Sequence, residues 1–450
     1  MRSGPHAAGP SVSSKGSGDA MESIAMPRRS LVFAALAALA ALRALCFVLA
    51  LPVLATSATG CSKASTAKDT GDGGSSNVEA SLVPIPRTTD GALAIGNLDA
   101  VIAGHEKRVA GAPADATLRA GLVDLLLTRG QYLGIIADYE RASAIAEALV
   151  VEAPSSIAAW KARAATNATW HRFDAALADL DAAQRVGAPE KSLRAARSSV
   201  LAARGQLDEA FAIAPSDGDL AGESLALASR GLLEGDLGRV ADSEGDLAAA
   251  RTRYRDVSPL PLAWMDAMQA AQCEKRGDRV KARAYYTRAV RILPLYARAA
   301  AHLAAYETAE RAVALLSPIA ERSDDPEVFA ELGDALRRAS RPAESKQAID
   351  RARASYEALL AKHPEAFADH AARFWLGVGR DPARALPLAA ANAQRRSTDD
   401  AASLWLEAAQ AARDEPAACE AAKQLVTLRH AADALRTPAR AVLARCPDGG

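Results

Sequence analysis

Aromatic residues are scarce in this chain. Only 4% of its 450 residues are Phe, Trp or Tyr, whereas about a quarter are alanine. Strands favour aromatic and β-branched side chains, and alanine has the highest helix propensity of all residues. The composition therefore argues against a strand-rich fold and predicts a mostly helical chain, built as two or three domains or as one long repeat array.

An excess of positive charge is also missing. The 54 Lys and Arg residues balance 54 Asp and Glu residues, which gives a formal net charge of 0. Proteins that bind nucleic acids need a basic surface to displace the counterions of the phosphates. We therefore expect no nucleic-acid partner.

Sequence motifs of catalytic and metal sites are lacking as well. None of the seven histidines belongs to a His-Glu-x-x-His motif or a similar pair at metal-ligand spacing. Asp369 and His370, with His363 seven residues earlier, come closest to a cluster. Adjacent residues on a helix point in different directions, and Pro364 separates the two histidines. We therefore expect no catalytic residue, no metal and no cofactor.

The chain does contain one long apolar run near its beginning. Residues 31–54 carry a single charge, on Arg43, and Arg28 and Arg29 precede them. A short positive segment followed by an apolar stretch and small residues is typical of a secretory signal. We therefore expect the bulk of the chain to be exported.

The residues that follow the run, Ala-Thr-Gly-Cys at 58–61, resemble the lipobox of bacterial lipoproteins. The resemblance implies that Cys61 is lipidated and becomes the first residue of the mature chain. Ala58 departs from the family, which usually has Leu there. Ser62 follows the cysteine and, by the sorting rule of such lipoproteins, favours the outer membrane.

Two alternatives to a lipoprotein remain open. The 24 residues from 31 to 54 can span a bilayer core of about 30 Å, so an uncleaved signal anchor is one of them. A cleaved, soluble export form is the other. All three readings deliver the C-terminal bulk outside the cytoplasm.

The chain divides into four segments. Residues 1–25 lack periodicity and precede a better start at Met26, so they are interpreted as a misassigned start or a disordered tail. Residues 26–60 form the signal segment. Residues 61–92 are rich in Ser, Gly, Thr and Asp and are predicted to form a flexible tether. Residues 93–450 are predicted to form helical repeats.

The repeat is clearest in residues 263–294. Counted from Ala263, small or large side chains and a final proline recur at positions 8, 15, 20, 24, 27 and 32, namely Ala270, Gly277, Ala282, Tyr286, Ala289 and Pro294. This pattern resembles the tetratricopeptide repeat. Positions 8 and 20 lie where two helices cross, so they require small residues, and the proline ends the second helix.

Other windows share this phase. Four clear copies cover 157–189, 224–258, 326–364 and 402–430. Weaker copies cover 97–154, 191–215, 295–325 and 366–397, and 431–447 would form a capping helix. The copy at 191–215 looks truncated because Pro215 cuts its second helix short. The resemblance implies an all-α, right-handed α-solenoid of antiparallel helix pairs, each buried against its neighbours.

The resemblance also implies a concave surface lined by the first helix of each repeat. Its candidate residues are Lys161, Trp264, Glu274, Lys275, Asp334, Arg337, Arg338, Gln410 and Arg413. A mixed-charge wall with one aromatic anchor, Trp264, suits a protein or peptide partner. None of the four asparagines falls at these positions, so the carboxylate clamp of chaperone-binding members is not supported. The alternative is a solvated face without a dedicated ligand.

Three cysteines follow Cys61. Cys273 falls at a core position of its repeat, whereas Cys419 and Cys446 lie near the C-terminal end. In an oxidising compartment the last two could form a disulfide that pins this end of the array.

These observations favour a non-catalytic envelope lipoprotein that acts as a protein-interaction scaffold, attached to the membrane through its lipid anchor. A signal-anchored protein with the same repeats is the first alternative. An accessory subunit of an envelope enzyme complex and an assembly protein without a discrete peptide ligand are the others.

Overall fold

In the computed structural model, residues 82–215 and 224–447 are described, and their regular structure consists of helices alone. The helices are α1 (Gly91–Gly111), α2 (Ala116–Leu133), α3 (Ile136–Glu152), α4 (Ile157–Thr169), α5 (Phe173–Arg185), α6 (Arg194–Arg204), α7 (Leu207–Ile213), α8 (Ser224–Asp236), α9 (Val240–Arg253), α10 (Leu260–Lys275), α11 (Arg279–Ile292), α12 (Ala297–Ala304), α13 (Ala309–Ala320), α14 (Pro326–Arg338), α15 (Pro342–Lys362), α16 (Pro364–Leu376), α17 (Pro382–Arg395), α18 (Asp399–Ala412), α19 (Glu415–Thr427) and α20 (Asp433–Leu443). A short 3₁₀ helix, Glu190–Ser192, precedes α6.

Consecutive helices pack as antiparallel pairs, and each pair packs against the next. The pairs α4/α5, α8/α9, α10/α11, α14/α15 and α18/α19 coincide with the five clear repeat windows. The predicted all-α, right-handed α-solenoid of the tetratricopeptide type is confirmed. The weak windows also contain helices, including the three helices α1–α3 within and around residues 97–154.

Small residues explain the close crossing within each pair. Ala270 on α10 and Ala282 on α11 are fully buried. At the equivalent crossing of α14 and α15, a Cβ on Gly333 would lie only 2.6 Å from the Cγ1 atom of Ile349. Gly277, with a φ of 79°, makes the turn between α10 and α11, a conformation that side chains with a Cβ disfavour.

The truncated repeat is present as expected. Its second helix, α7, has only seven residues and ends at Ile213, two residues before Pro215. This short helix packs with α6 and α8.

The solenoid closes on itself after one superhelical turn. The Ser323 hydroxyl donates to the Gly134 carbonyl, 189 residues earlier, at 2.7 Å. The Arg396 Nε atom donates to the Ala203 carbonyl, 193 residues earlier, at 3.1 Å. The His171 ring contacts the Glu365 carbonyl across 194 residues. These three contacts have similar separations in sequence and lie at different repeats, so the first turn of the array lies against the second at several points.

Residues 82–90, which belong to the predicted tether, lie on this array. The Val83 carbonyl accepts a hydrogen bond from Arg288 of α11 at 2.7 Å, and the Thr89 amide donates to the Val257 carbonyl at 2.7 Å. Leu82 packs against the core.

The predicted N-terminal extension, the signal segment, Cys61 and the tether up to residue 81 lie outside the described residues. Within 82–215 and 224–447, no helix combines the length and the apolar character that crossing a membrane requires.

Candidate binding surface

The first helices of successive repeats, which include α4, α10, α14 and α18, carry the predicted groove residues. The structure divides these residues among three environments. One is fully buried, two lie in internal polar networks, and the others are partly or fully exposed.

The prediction that Trp264 is an exposed aromatic anchor is wrong. Its side chain is fully buried and belongs to a core cluster that also contains Tyr132 and Leu133 of α2. A position that faces the groove in an open solenoid is covered here, because the first turn of the superhelix lies against the second. Trp264 therefore stabilises the core and is not available to a partner.

Glu274, at the end of α10, lies in a polar network. Its carboxylate accepts hydrogen bonds from the hydroxyls of Tyr286 at 2.9 Å and Tyr306 at 2.6 Å, and contacts the His302 ring at 3.2 Å. Burial raises the pKa of Glu274, but the hydrogen bonds from His302 and the two tyrosines outweigh burial and lower it. The carboxylate is therefore ionised and fully engaged within the fold.

Lys275, the next residue, is also engaged. Its ammonium lies 2.5 Å from Asp399 and 3.5 Å from Asp400 at the start of α18, and 3.8 Å from Asp236 at the end of α8. Burial lowers the pKa of Lys275, but the three carboxylates outweigh burial and raise it. This ion cluster joins α10 of one superhelical turn to α18 of the next.

Asp334, Arg337 and Arg338 form an accessible cluster on α14. The Asp334 carboxylate pairs with Arg337 at 2.6 Å and with Arg338 at 3.0 Å. Arg338 also donates to the carbonyls of Ala304 and Glu307, each at 3.0 Å. The Arg337 side chain remains 51% exposed. These three residues, named the α14 patch below, present a positioned guanidinium to solvent.

The remaining groove residues lie on other helices. Gln410 is exposed on α18, and Arg413 is exposed where it caps that helix, with a φ of 57°. Lys161 on α4 is partly buried, and burial lowers its pKa. The nine predicted residues therefore do not form one continuous open wall.

Asp369 and His370 stood out in the sequence, but the row of charged residues to which they belong did not. His302 of α12 lies 4.0 Å from Glu327 of α14. Glu327 in turn lies 3.6 Å from His370 of α16, and the adjacent Asp369 pairs with Arg396 at 3.0 Å. Arg396 continues this row to the first superhelical turn through its bond to the Ala203 carbonyl.

The electrostatics of this row favour charged forms. Burial raises the pKa of Glu327, but the hydrogen bond and positive charge of His370 outweigh burial and lower it. Burial lowers the pKa of His370, but Asp369 and Glu327 outweigh burial and raise it. The part of the row from Glu327 to Arg396 therefore joins neighbouring repeats through alternating charges. Glu327 stands at position 2 of its repeat, and Trp264 stands at position 2 of another repeat. The repeat register could therefore have identified Glu327 as a residue of the first-helix face.

No group of three or more His, Cys, Asp or Glu side chains in the described ranges is arranged to hold a metal ion. Cys273 is buried, and burial raises the pKa of its thiol to about 11. Cys419 and Cys446 form a disulfide between α19 and the residues after α20, with their Cα atoms 6.0 Å apart.

No protein-family model and no curated protein matches this sequence. Similar solved structures include the Naa15/Naa10 complex bound to HypK-THB, with 14% identity, 78% of this chain and 66% of that chain covered, and a TM-score of 0.22. The TPR domain of P58(IPK) has 12% identity, with 83% and 98% covered and a TM-score of 0.21. Yeast Tom70 has 11% identity, with 78% and 93% covered and a TM-score of 0.31.

This chain thus spans just under two thirds of the Naa15/Naa10 chain that it matches. All three TM-scores lie below 0.5, so no superposition of the whole array bears on partners or activity. The likeness is one of helical repeats, which the helix pairs of this chain establish on their own.

Proposed function

We propose that this chain is a non-catalytic scaffold that binds protein partners through its repeat array and is attached to a membrane of the cell envelope through Cys61. Repeat arrays present an extended, rigid surface on which partner contacts are spread over several helices. The scaffold and the membrane attachment rest on different observations, and each has its own test.

The α14 patch is the observation that supports partner binding. Arg337 is half-exposed, and its charge is held in place by Asp334 on the same helix. Arginine is enriched at the energetically important positions of protein interfaces. Since the inner residues Trp264, Glu274 and Lys275 are occupied within the fold, we place the partner site on the exposed edge that contains the α14 patch.

Crosslinking in the native envelope followed by affinity capture tests this site. The variant Arg337→Glu reverses the exposed charge and should remove the main crosslinked partner. The matched control is Lys346→Glu on α15, whose side chain is 78% exposed and lies on the second helix of the same repeat. Loss of one partner with Arg337→Glu alone supports the proposal. Recovery of the same proteins with both baits would contradict it.

Membrane attachment rests on the apolar run and the lipobox-like residues before Cys61. Stable attachment takes more than one acyl chain, which lipoprotein processing supplies. We expect the mature chain to begin at an acylated Cys61 and Cys61→Ser to abolish acylation. Intact-mass analysis of the membrane-extracted protein checks this. A full-length, unacylated membrane protein would instead identify a signal anchor, and density fractionation separates inner from outer membrane.

A further inference from the structure

A cavity of about 270 Å³ lies where the two superhelical turns meet. Its walls come from the start of α7, the C-terminal ends of α8 and α10, the residues that lead into α18 and the loop between α19 and α20. Four separate repeats thus contribute to one half-open cavity, and Lys275 is the only predicted groove residue among its lining residues.

The walls of this cavity carry more negative than positive groups. Its charged lining comprises five carboxylates, of Asp208, Glu209, Asp236, Asp399 and Asp400, against Lys275, Arg429 and His430. Arg429 and His430 both contact Asp208, at 3.0 and 3.1 Å. The single ammonium of Lys275 is therefore shared by three carboxylates, those of Asp236, Asp399 and Asp400.

Two of these carboxylates are incompletely satisfied. The Oδ1 atoms of Asp236 and Asp400 are buried and have no hydrogen-bond partner, although the Asp236 Oδ1 atom lies 3.8 Å from the Lys275 ammonium. The side chains are only 10% and 6% exposed. A buried carboxylate oxygen without a partner is costly. Asp236 is also the last residue of α8, where the helix dipole disfavours a negative charge.

From this geometry we propose that the cavity binds an organic cation, a group with an alkylammonium or guanidinium head that pairs with the carboxylates of Asp236 and Asp400. Such a head supplies several N–H donors and a second positive charge beside Lys275. That charge lies next to Asp236, which Lys275 approaches only to 3.8 Å, or on the side of Asp400 away from the charges of Arg373 and Arg396. This inference does not depend on the partner site at the α14 patch.

A bare metal ion fits less well. Lys275 occupies the centre of the carboxylates, and the described residues offer no metal-binding group of three or more ligands. A proton is the simplest competitor for the site, because burial raises the pKa of Asp236 to about 7. Cation binding should therefore weaken as the pH falls from 8 to 6.

Titration calorimetry on the full-length chain tests the proposal with cadaverine and with 1,5-pentanediol, which has the same chain length and no charge. We expect cadaverine to bind with one-to-one stoichiometry and the diol not to bind. Asp400→Asn and Asp236→Asn should each weaken cadaverine binding by roughly tenfold or more, since each leaves the cation with one counter-charge fewer. Glu420→Gln, an exposed carboxylate on α19 outside the cavity, is the matched control.

Lys275→Met should change the affinity for cadaverine in the opposite direction. It removes the competing ammonium, so a variant that keeps its helical circular dichroism should bind cadaverine more tightly. Equal binding by wild type, Asp400→Asn and Glu420→Gln would overturn the proposal, as would equal affinity for cadaverine and the diol. A second ligand, N-acetyl-lysine methylamide, distinguishes the source of the cation. If it binds as tightly as cadaverine, the natural ligand is a lysine side chain of a peptide. If only cadaverine binds, the natural ligand is a free amine.

Discussion

Asp266 lies at the centre of a buried ion cluster in which two guanidinium groups share one carboxylate. Its oxygens lie 2.8 Å from Arg251 and 2.6 Å from Arg288, and the three side chains are almost entirely buried. The ring of Tyr285 lies within 5.5 Å of both guanidinium groups. This cluster joins α9, α10 and α11 through one shared carboxylate.

We expect Asp266→Asn to destabilise the chain strongly. The amide retains the shape but removes the buried carboxylate that the two guanidinium groups share, which costs about 3–5 kcal/mol. Urea denaturation followed by circular dichroism measures this loss. The matched control is Asp350→Asn, which breaks the exposed pair with Lys346 and should leave the unfolding midpoint unchanged. Equal midpoints for the two variants would show that the cluster is not a major contributor to stability.

Repeat register predicted which helix each site residue occupies, but not its surroundings. Trp264 and Glu327 hold the same position in their repeats, yet one lies in an apolar core and the other in a charged row. Trp264 shares its core cluster with Tyr132 and Leu133 of α2, which lie far from it in sequence. No local pattern in the sequence encodes that contact, so an aromatic residue at a groove position was assigned to the wrong environment.

At the scale of helices, prolines and small residues were sufficient to place most pairs. Pro326 begins α14 and Pro364 begins α16. The small residues at each helix crossing indicate where each repeat starts. Arg–Asp pairs 16 residues apart in sequence also recur, and the sequence pattern did not predict them. Arg163 bonds to Asp179 across α4 and α5, and Arg230 bonds to Asp246 across α8 and α9. Such pairs become visible only after the repeats are aligned.

The last helix depends on a covalent link. The disulfide between Cys419 and Cys446 connects residues 27 apart and encloses the α19–α20 turn, whereas α20 itself buries only Ala439 and Val442. In the chain-entropy model, a loop of this length stabilises the folded state by about 3–4 kcal/mol. The array thus has a terminal helix with little core of its own.

We expect reduction, or Cys446→Ser, to unfold α20 locally and leave the rest of the array folded. Hydrogen exchange monitored by mass spectrometry should show faster exchange in 433–443 and unchanged exchange in α18, which lies one pair further in. Mass analysis with and without reductant first establishes the bond in the native protein. Two free thiols in freshly purified protein, or unchanged exchange in α20 after reduction, would contradict this prediction.

At the scale of the whole molecule, the contact between superhelical turns changes how the array unfolds. An open solenoid is stabilised only by neighbouring repeats, so it can unfold from its ends. Here distant repeats also support one another. The first helical turn of α3 has no side-chain cap of its own, and Asp324 supplies one from the other superhelical turn by accepting from the amides of Ile136 and Ala137.

Asp324→Ala therefore removes a helix cap and a contact between turns together. Loss of a cap costs about 1–2 kcal/mol. Hydrogen exchange should become faster on both sides of the contact, in the first turn of α3 and in residues 321–325. Asp115→Ala is the matched control, because Asp115 caps α2 within its own turn by accepting from the Leu118 amide at 2.9 Å.

The control variant should accelerate exchange at the start of α2 alone and leave residues 321–325 protected. If Asp324→Ala affected α3 but not 321–325, the two turns would be independent, and the array would behave as an open solenoid whose inner face is available to partners. Faster exchange on both sides would show that the two superhelical turns stabilise one another, so that the array does not unfold from its ends alone.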